Sequence, residues 1–127
     1  MVDLHELCLR SDVVTLHAKA TAGTVGLVDA AFLAAMKSGA VLINTSRESL
    51  VDEPALLAAL RSGHLGGAAL DVCEPDGVWP ELCALPNVIL TPHVGGATAQ
   101  TRQRGLKLGL TDLMRHVGGE PLAHRVA

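Results

Sequence analysis

A chain of 127 residues that is 49% hydrophobic is long enough for one domain with its own core and too apolar to be disordered. Its formal net charge of -3 offers no basic footprint for nucleic acid, and its longest apolar run, Ala30 to Met36, falls far short of the roughly 20 residues that cross a bilayer. Aromatics are limited to Phe32 and Trp79, so the core must come from Ala, Val, Leu and Ile, as in helices packed on a parallel sheet.

The three cysteines, Cys8, Cys73 and Cys83, follow no repeating spacing, and no charged-then-apolar leader precedes them. A soluble protein of the reducing cytoplasm is expected. Cys73, Cys83 and His93 match no usual zinc-ligand spacing, so no metal is expected.

In chain order, 3–10 resembles the last turns of a helix whose start is not obvious. Val13-Val14-Thr15-Leu16-His17 reads as a strand buried on both faces. Thr21 to Gly26 is a loop, and Asp29 can cap a helix with Phe32, Leu33 and Met36 on one face, ended by Gly39. A second strand, Ala40 to Asn44, runs into Thr45-Ser46-Arg47. After a polar break, Asp52 can cap a helix that carries Glu53 and Pro54 in its first turn, presents Leu56, Leu57 and Leu60, and stops at Gly63. The third strand, Gly67 to Val72, is so thin in side chains that something must pack closely on it. Glu74 to Pro86 reads as a proline-studded loop leading to a fourth strand at Val88 to Leu90. Thr98 to Val117 is a long helix, with Leu106, Leu110, Leu113, Met114 and Val117 at helical spacing and Gly118-Gly119 at its end.

Strands alternating with helices at this pitch predict an α/β fold, a partial Rossmann-like and mostly parallel sheet of about four strands with flanking helices and a long C-terminal helix. Parallel strands bring their carboxyl ends to one rim, where such sheets bind ligands. Arg47, the pair Asp71 and Glu74, and His93 should meet there, although they are far apart in sequence. Pro92 cannot extend a strand, so His93 is delivered just past the sheet, and Gly95 and Gly96 let something approach the backbone. A guanidinium holds a carboxylate bidentately, an imidazole gives or takes a proton near neutral pH, and a neighbouring carboxylate favours its charged form. That is equipment for interconverting a 2-hydroxy acid and a 2-keto acid. The bland alternative makes Arg47 and Glu74 rim salt-bridge residues. Ser46, Asp71 and His93 as a hydrolase triad would lack a nucleophile elbow.

Asp12 to His17, Leu42 to Arg47 with Leu50 to Glu53, Gly67 to Val72, Glu74-Pro75, Leu85 to Gly96 and Gly119 to Leu122 together closely resemble the D-isomer-specific 2-hydroxyacid dehydrogenases. The blocks stand in order along nearly the whole chain. The resemblance implies an NAD-dependent oxidoreductase for a small 2-hydroxy or 2-keto acid, with NADP not excluded. It implies that Arg47 binds the substrate carboxylate, that His93 exchanges the proton and that Glu74 hydrogen-bonds the histidine. It also implies cofactor contacts at His17, Thr45, Ser46, Arg47, Asp71, His93, Val94, Gly95 and Gly96, and a homodimer. Glu74 rather than Asp76 fits the motif, because that alignment keeps Glu74-Pro75 intact. Glu48 departs from the family's usual glycine, and Lys19 from its usual proline. No G-x-G-x-x-G occurs, so 1–127 reads as the C-terminal portion of a dinucleotide-binding domain, without the glycine fingerprint or the substrate domain. Such a fragment would be inactive by itself. The rival expectation is a non-catalytic remnant serving as a binding or dimerisation module.

Overall fold

The computed structural model describes residues 2–73 and 77–125. The chain forms two compact units, Met1–His93 and Val94–Ala127.

The first unit runs α1 (Leu4–Arg10), β1 (Val13–Leu16), α2 (Ala30–Ala35), β2 (Val41–Asn44), a 3₁₀ turn (Glu48–Leu50), α3 (Glu53–Arg61), β3 (Gly67–Leu70), α4 (Trp79–Cys83) and β4 (Val88–Leu90). The four strands are parallel, in the order β1-β2-β3-β4. Helix starts follow side-chain chemistry. Asp29 accepts the Phe32 amide at 2.8 Å and Asp52 accepts the Ala55 amide at 3.0 Å, each satisfying a donor that the first turn leaves unpaired. Asp3 does the same for Glu6, so α1 is a whole short helix with its own start rather than the tail of one.

Two register rows, Val14-Leu42-Ala68-Val88 and Leu16-Asn44-Leu70-Leu90, lie on the packed face of the sheet. One core joins that face to Cys8, Phe32, Leu33, Leu56, Leu57 and Leu60 from the helices. Burial there pushes the Cys8 thiol up from its ordinary value. β1 corrects the expectation of a strand buried on both faces, since Val14 and Leu16 are buried while Val13 and Thr15 are exposed. It is the end strand of this four-stranded sheet, and among the described residues nothing covers the face of Val13 and Thr15. The thinness of β3 has the expected cause. A Cβ on Gly67 would come within 2.7 Å of the Asn87 carbonyl oxygen, and one on Gly66 would strike that of Gly39.

The expected loop from Glu74 to Pro86 contains α4 instead. Pro80 sits in its first turn, where a missing amide hydrogen costs nothing, and Leu82 is completely buried. The proline that suggested a loop is a helix starter.

The second unit contains α5 (Ala99–Val117), capped by Thr98, whose hydroxyl accepts the Thr101 amide at 3.1 Å. The Asp112 carboxylate accepts the amides of Ala123 at 2.9 Å and His124 at 3.0 Å, clipping the following segment to the helix. These bonds hold its carboxyl below the usual range. Among the described residues, no helix is long and apolar enough to cross a membrane.

Candidate active site at the carboxyl edge of the sheet

Leu16, Asn44, Leu70 and Leu90 stand in one register row at the carboxyl ends of the strands. His17 follows β1, Thr45 to Arg47 follow β2, Asp71 follows β3, and Thr91 to His93 follow β4. Arg47 and His93 are thus offset equally from the row, on strands two apart, which at the usual strand spacing is roughly 10 Å. The expected rim holds Arg47, Asp71 and His93. Glu74, like its competitor Asp76, lies outside the described residues.

The loop that carries Arg47 is fixed at both ends. Asn44, 1% exposed, accepts the Ser46 amide at 3.0 Å through its side-chain oxygen and donates to the Arg47 carbonyl at 2.8 Å. At the far end, Val28 bridges Val51, donating to the Leu50 carbonyl and accepting from Asp52, both at 2.9 Å. Ser46 Oγ donates to the Leu16 carbonyl at 3.0 Å, tying the loop to the end of β1. Arg47 itself is exposed, donates to the Ser46 carbonyl at 2.6 Å, and makes no ion pair among the described residues. Sequence reasoning passed over Asn44. The available signal was an amide closing an otherwise apolar strand.

Asp71, 7% exposed, joins three strands' ends. Its amide donates to the Asn44 carbonyl at 2.9 Å, its carboxylate accepts the Thr91 hydroxyl at 2.5 Å, and its carbonyl accepts the His93 amide at 3.0 Å. The His93 amide also reaches the Thr91 carbonyl at 3.0 Å, and His93 has φ 54, the only non-glycine in the left-handed region among the described residues. Such a backbone costs about 1–3 kcal/mol and persists where its surroundings hold it. Here the end of β3 holds it.

Two hollows open on this edge. A cleft of about 320 Å³ has Val72, Trp79 and Pro92 as apolar wall, Cys73 beside them, and Glu48, Asp71, Thr91 and His93 as polar wall. A second, of about 370 Å³, is lined by His17, Ala18, Lys19, Ala20, Ser46 and Arg47. The structure therefore groups Asp71 with His93, and His17 with Ser46 and Arg47. His17 Nε2 lies 3.0 Å from Thr15 Oγ1. Thr45 is exposed at the loop's start, while Val94, Gly95 and Gly96 open the second unit.

The nicotinamide half of a dinucleotide fits this chemistry. The buried Asp71 carboxylate, bonded to the Thr91 hydroxyl, puts an acceptor at the edge where such sheets take ligands. At Gly96 a Cβ would meet nothing, so packing within the protein does not demand glycine there. For the pyrophosphate half the chain offers no glycine-rich turn.

Residues 1–95 match the family described as D-isomer specific 2-hydroxyacid dehydrogenase, NAD binding domain. A glycerate dehydrogenase of Methylorubrum extorquens is 42% identical over 125 residues, covering 95% of this chain and 40% of its own length. The apo D-mandelate dehydrogenase of Rhodotorula graminis superposes with TM-score 0.92 at 38% identity, over 100% of this chain and 37% of its own. D-lactate dehydrogenase of Lactobacillus jensenii, solved with NAD+, gives 0.91 at 28% identity, over 99% and 42%. The chain thus spans about two fifths of the length of these proteins. In sequence and in fold alike, the chain belongs to the D-isomer specific 2-hydroxyacid dehydrogenases, in the part of them that binds NAD.

Proposed function

We propose that this chain supplies the carboxyl edge of an NAD-dependent oxidoreductase that interconverts a 2-hydroxy acid and a 2-keto acid, the glycine fingerprint and substrate domain coming from outside these 127 residues. The observation that carries the reading is the matched offset of Arg47 and His93 past one register row, with Asp71 between them.

The guanidinium of Arg47 binds the substrate carboxylate and polarises the adjoining carbonyl. A bound nicotinamide would supply hydride chemistry at C2 of the substrate, as donor toward the keto acid or acceptor from the hydroxy acid. The His93 imidazole gives a proton to the C2 oxygen during reduction and takes it back from the hydroxyl during oxidation, an assistance typically worth about 10²- to 10⁴-fold. Asp71 would hold the carboxamide with His17, Thr45 and Ser46 on the same edge, and the resemblance adds Val94, Gly95 and Gly96 as cofactor contacts. Glu74 keeps the imidazole oriented and favours its charged form. Homodimerisation belongs to the same reading and rests on the resemblance, and a cytoplasmic setting rests on the odd, unpatterned cysteines.

Steady-state kinetics of the native gene product test this. Arg47→Lys should lose kcat as well as binding, because a point charge does not reproduce the planar fork. A raised KM with unchanged kcat would reduce Arg47 to a binding residue. Calorimetry on the 127-residue chain alone should show no micromolar affinity for NAD, since no helix start with a glycine turn cradles the pyrophosphate. Tight binding would refute the division of labour.

A further inference from the structure

Glu48 adjoins the proposed carboxylate anchor in sequence and shares a cleft with the proposed acid-base group. It follows Arg47 directly and opens the 3₁₀ turn, yet it lines the cleft with His93, whereas Arg47 lines the neighbouring hollow. Among the described residues lining that cleft there is no lysine or arginine, and the carboxylates are those of Glu48 and Asp71. The Asp71 carboxylate is engaged by the Thr91 hydroxyl. Glu48 is half-buried, and its carboxylate makes no hydrogen bond or ion pair among the described residues. Val72, Trp79 and Pro92 form its apolar wall, with Cys73 beside them.

We propose that Glu48 is a specificity-determining residue, excluding 2-hydroxy and 2-keto acids that carry a second anionic group and admitting those whose distal group is apolar or a hydrogen-bond donor. The inference rests on the dehydrogenase reading above. With the substrate carboxylate on Arg47 and its C2 oxygen at His93, the remaining substituent lies along the wall that Glu48 shares with His93. The His93 imidazole is the proton donor at the C2 oxygen, and away from it a carboxylate on a low-dielectric wall that has no lysine or arginine among its described residues projects a negative field into the cleft. A second anion there meets like charge, whereas a methyl or hydroxyl group does not, so discrimination arises by repulsion of the wrong substrate.

The test compares reduction of 2-oxobutanoate and oxaloacetate, two four-carbon keto acids that differ in a distal methyl or carboxylate, by the native gene product, Glu48→Gln and Glu48→Lys. The wild type should favour 2-oxobutanoate, and that preference should weaken as salt screens the charge. The ratio of kcat/KM for oxaloacetate to that for 2-oxobutanoate should rise about tenfold in Glu48→Gln and further in Glu48→Lys, chiefly through KM. A ratio unmoved in both variants overturns the inference, as does a wild type that favours oxaloacetate or whose preference ignores salt. Failure of the wild type to reduce these two acids and also glyoxylate, pyruvate and hydroxypyruvate is a different result. It removes the dehydrogenase reading, and the inference with it.

Discussion

In the unit that ends at His93, α3 buries Leu56, Leu57 and Leu60, and every fully buried side chain of the described core lies in this unit. In the unit that begins at Val94, α5 repeats the spacing with Leu106, Leu110, Leu113, Met114 and Val117, and these are 57–80% exposed. Apolar periodicity therefore reports that a helix has a face, and says nothing of what covers it. The first unit is stabilised by burial. α5 relies on local bonds, namely the Thr98 cap, its internal ladder and the Asp112 clip.

The sharpest way to break that contrast is a pair of leucine truncations. Leu42→Ala, at a fully buried position of β2, should cost about 2–5 kcal/mol in urea unfolding, whereas Leu110→Ala should stay within about 0.5 kcal/mol. Equal losses would erase the difference between the units. Next in size is Asn44→Ala, which strips partners from the Ser46 amide and the Arg47 carbonyl and should cost about 1–3 kcal/mol. The Ser46 amide resonance should move with it, and an unchanged resonance would mean that Val28 and the Ser46 bond to Leu16 hold the loop without Asn44.

Cap removal sharpens the comparison further. Asp52→Ala and Thr98→Ala each delete one capping bond worth about 1 kcal/mol. The first should lower global stability, the second only the protection of α5 amides against exchange. A global loss from Thr98→Ala would contradict the local account. The smallest effect concerns acid. Because the folded Asp112 carboxyl sits below its unfolded value, the clip is fully present above the ordinary Asp pKa of about 3.9 and is lost as pH falls through the folded one. The amide shifts of Ala123 and His124 should follow that titration, and Asp112→Asn should abolish it.

The sequence made strand ends, caps and the rim legible because each has a local signature: Asp29 and Asp52 before apolar periodicity, Pro92 after β4, and Arg47 and His93 where an apolar sheet has no use for charge. Less legible was whatever depends on neighbours. The Val13 to Leu16 run gives no sign of which face is covered, since that depends on the strand's place at a sheet end. Pro80 was ambiguous between breaker and starter, and the buried Leu82 decided it. The division of the rim into two hollows, with Glu48 facing His93 and Arg47 beside His17, depends on how a loop pinned by Asn44 turns its successive side chains.

The strand order follows the chain order without exception, β1 beside β2, β2 beside β3, β3 beside β4. During synthesis this means that each strand finds its partner already made on the segment just before it. No gap has to be kept open for a strand still inside the ribosome. At about 5–20 residues added per second, a strand waits seconds at most for its neighbour. Pairings of modest sequence separation also keep loop-closure entropy low, which favours fast folding. Among these four strands pairing can proceed from β1 toward β4, so the loop of Arg47 is seated before the strand that delivers His93 has been added.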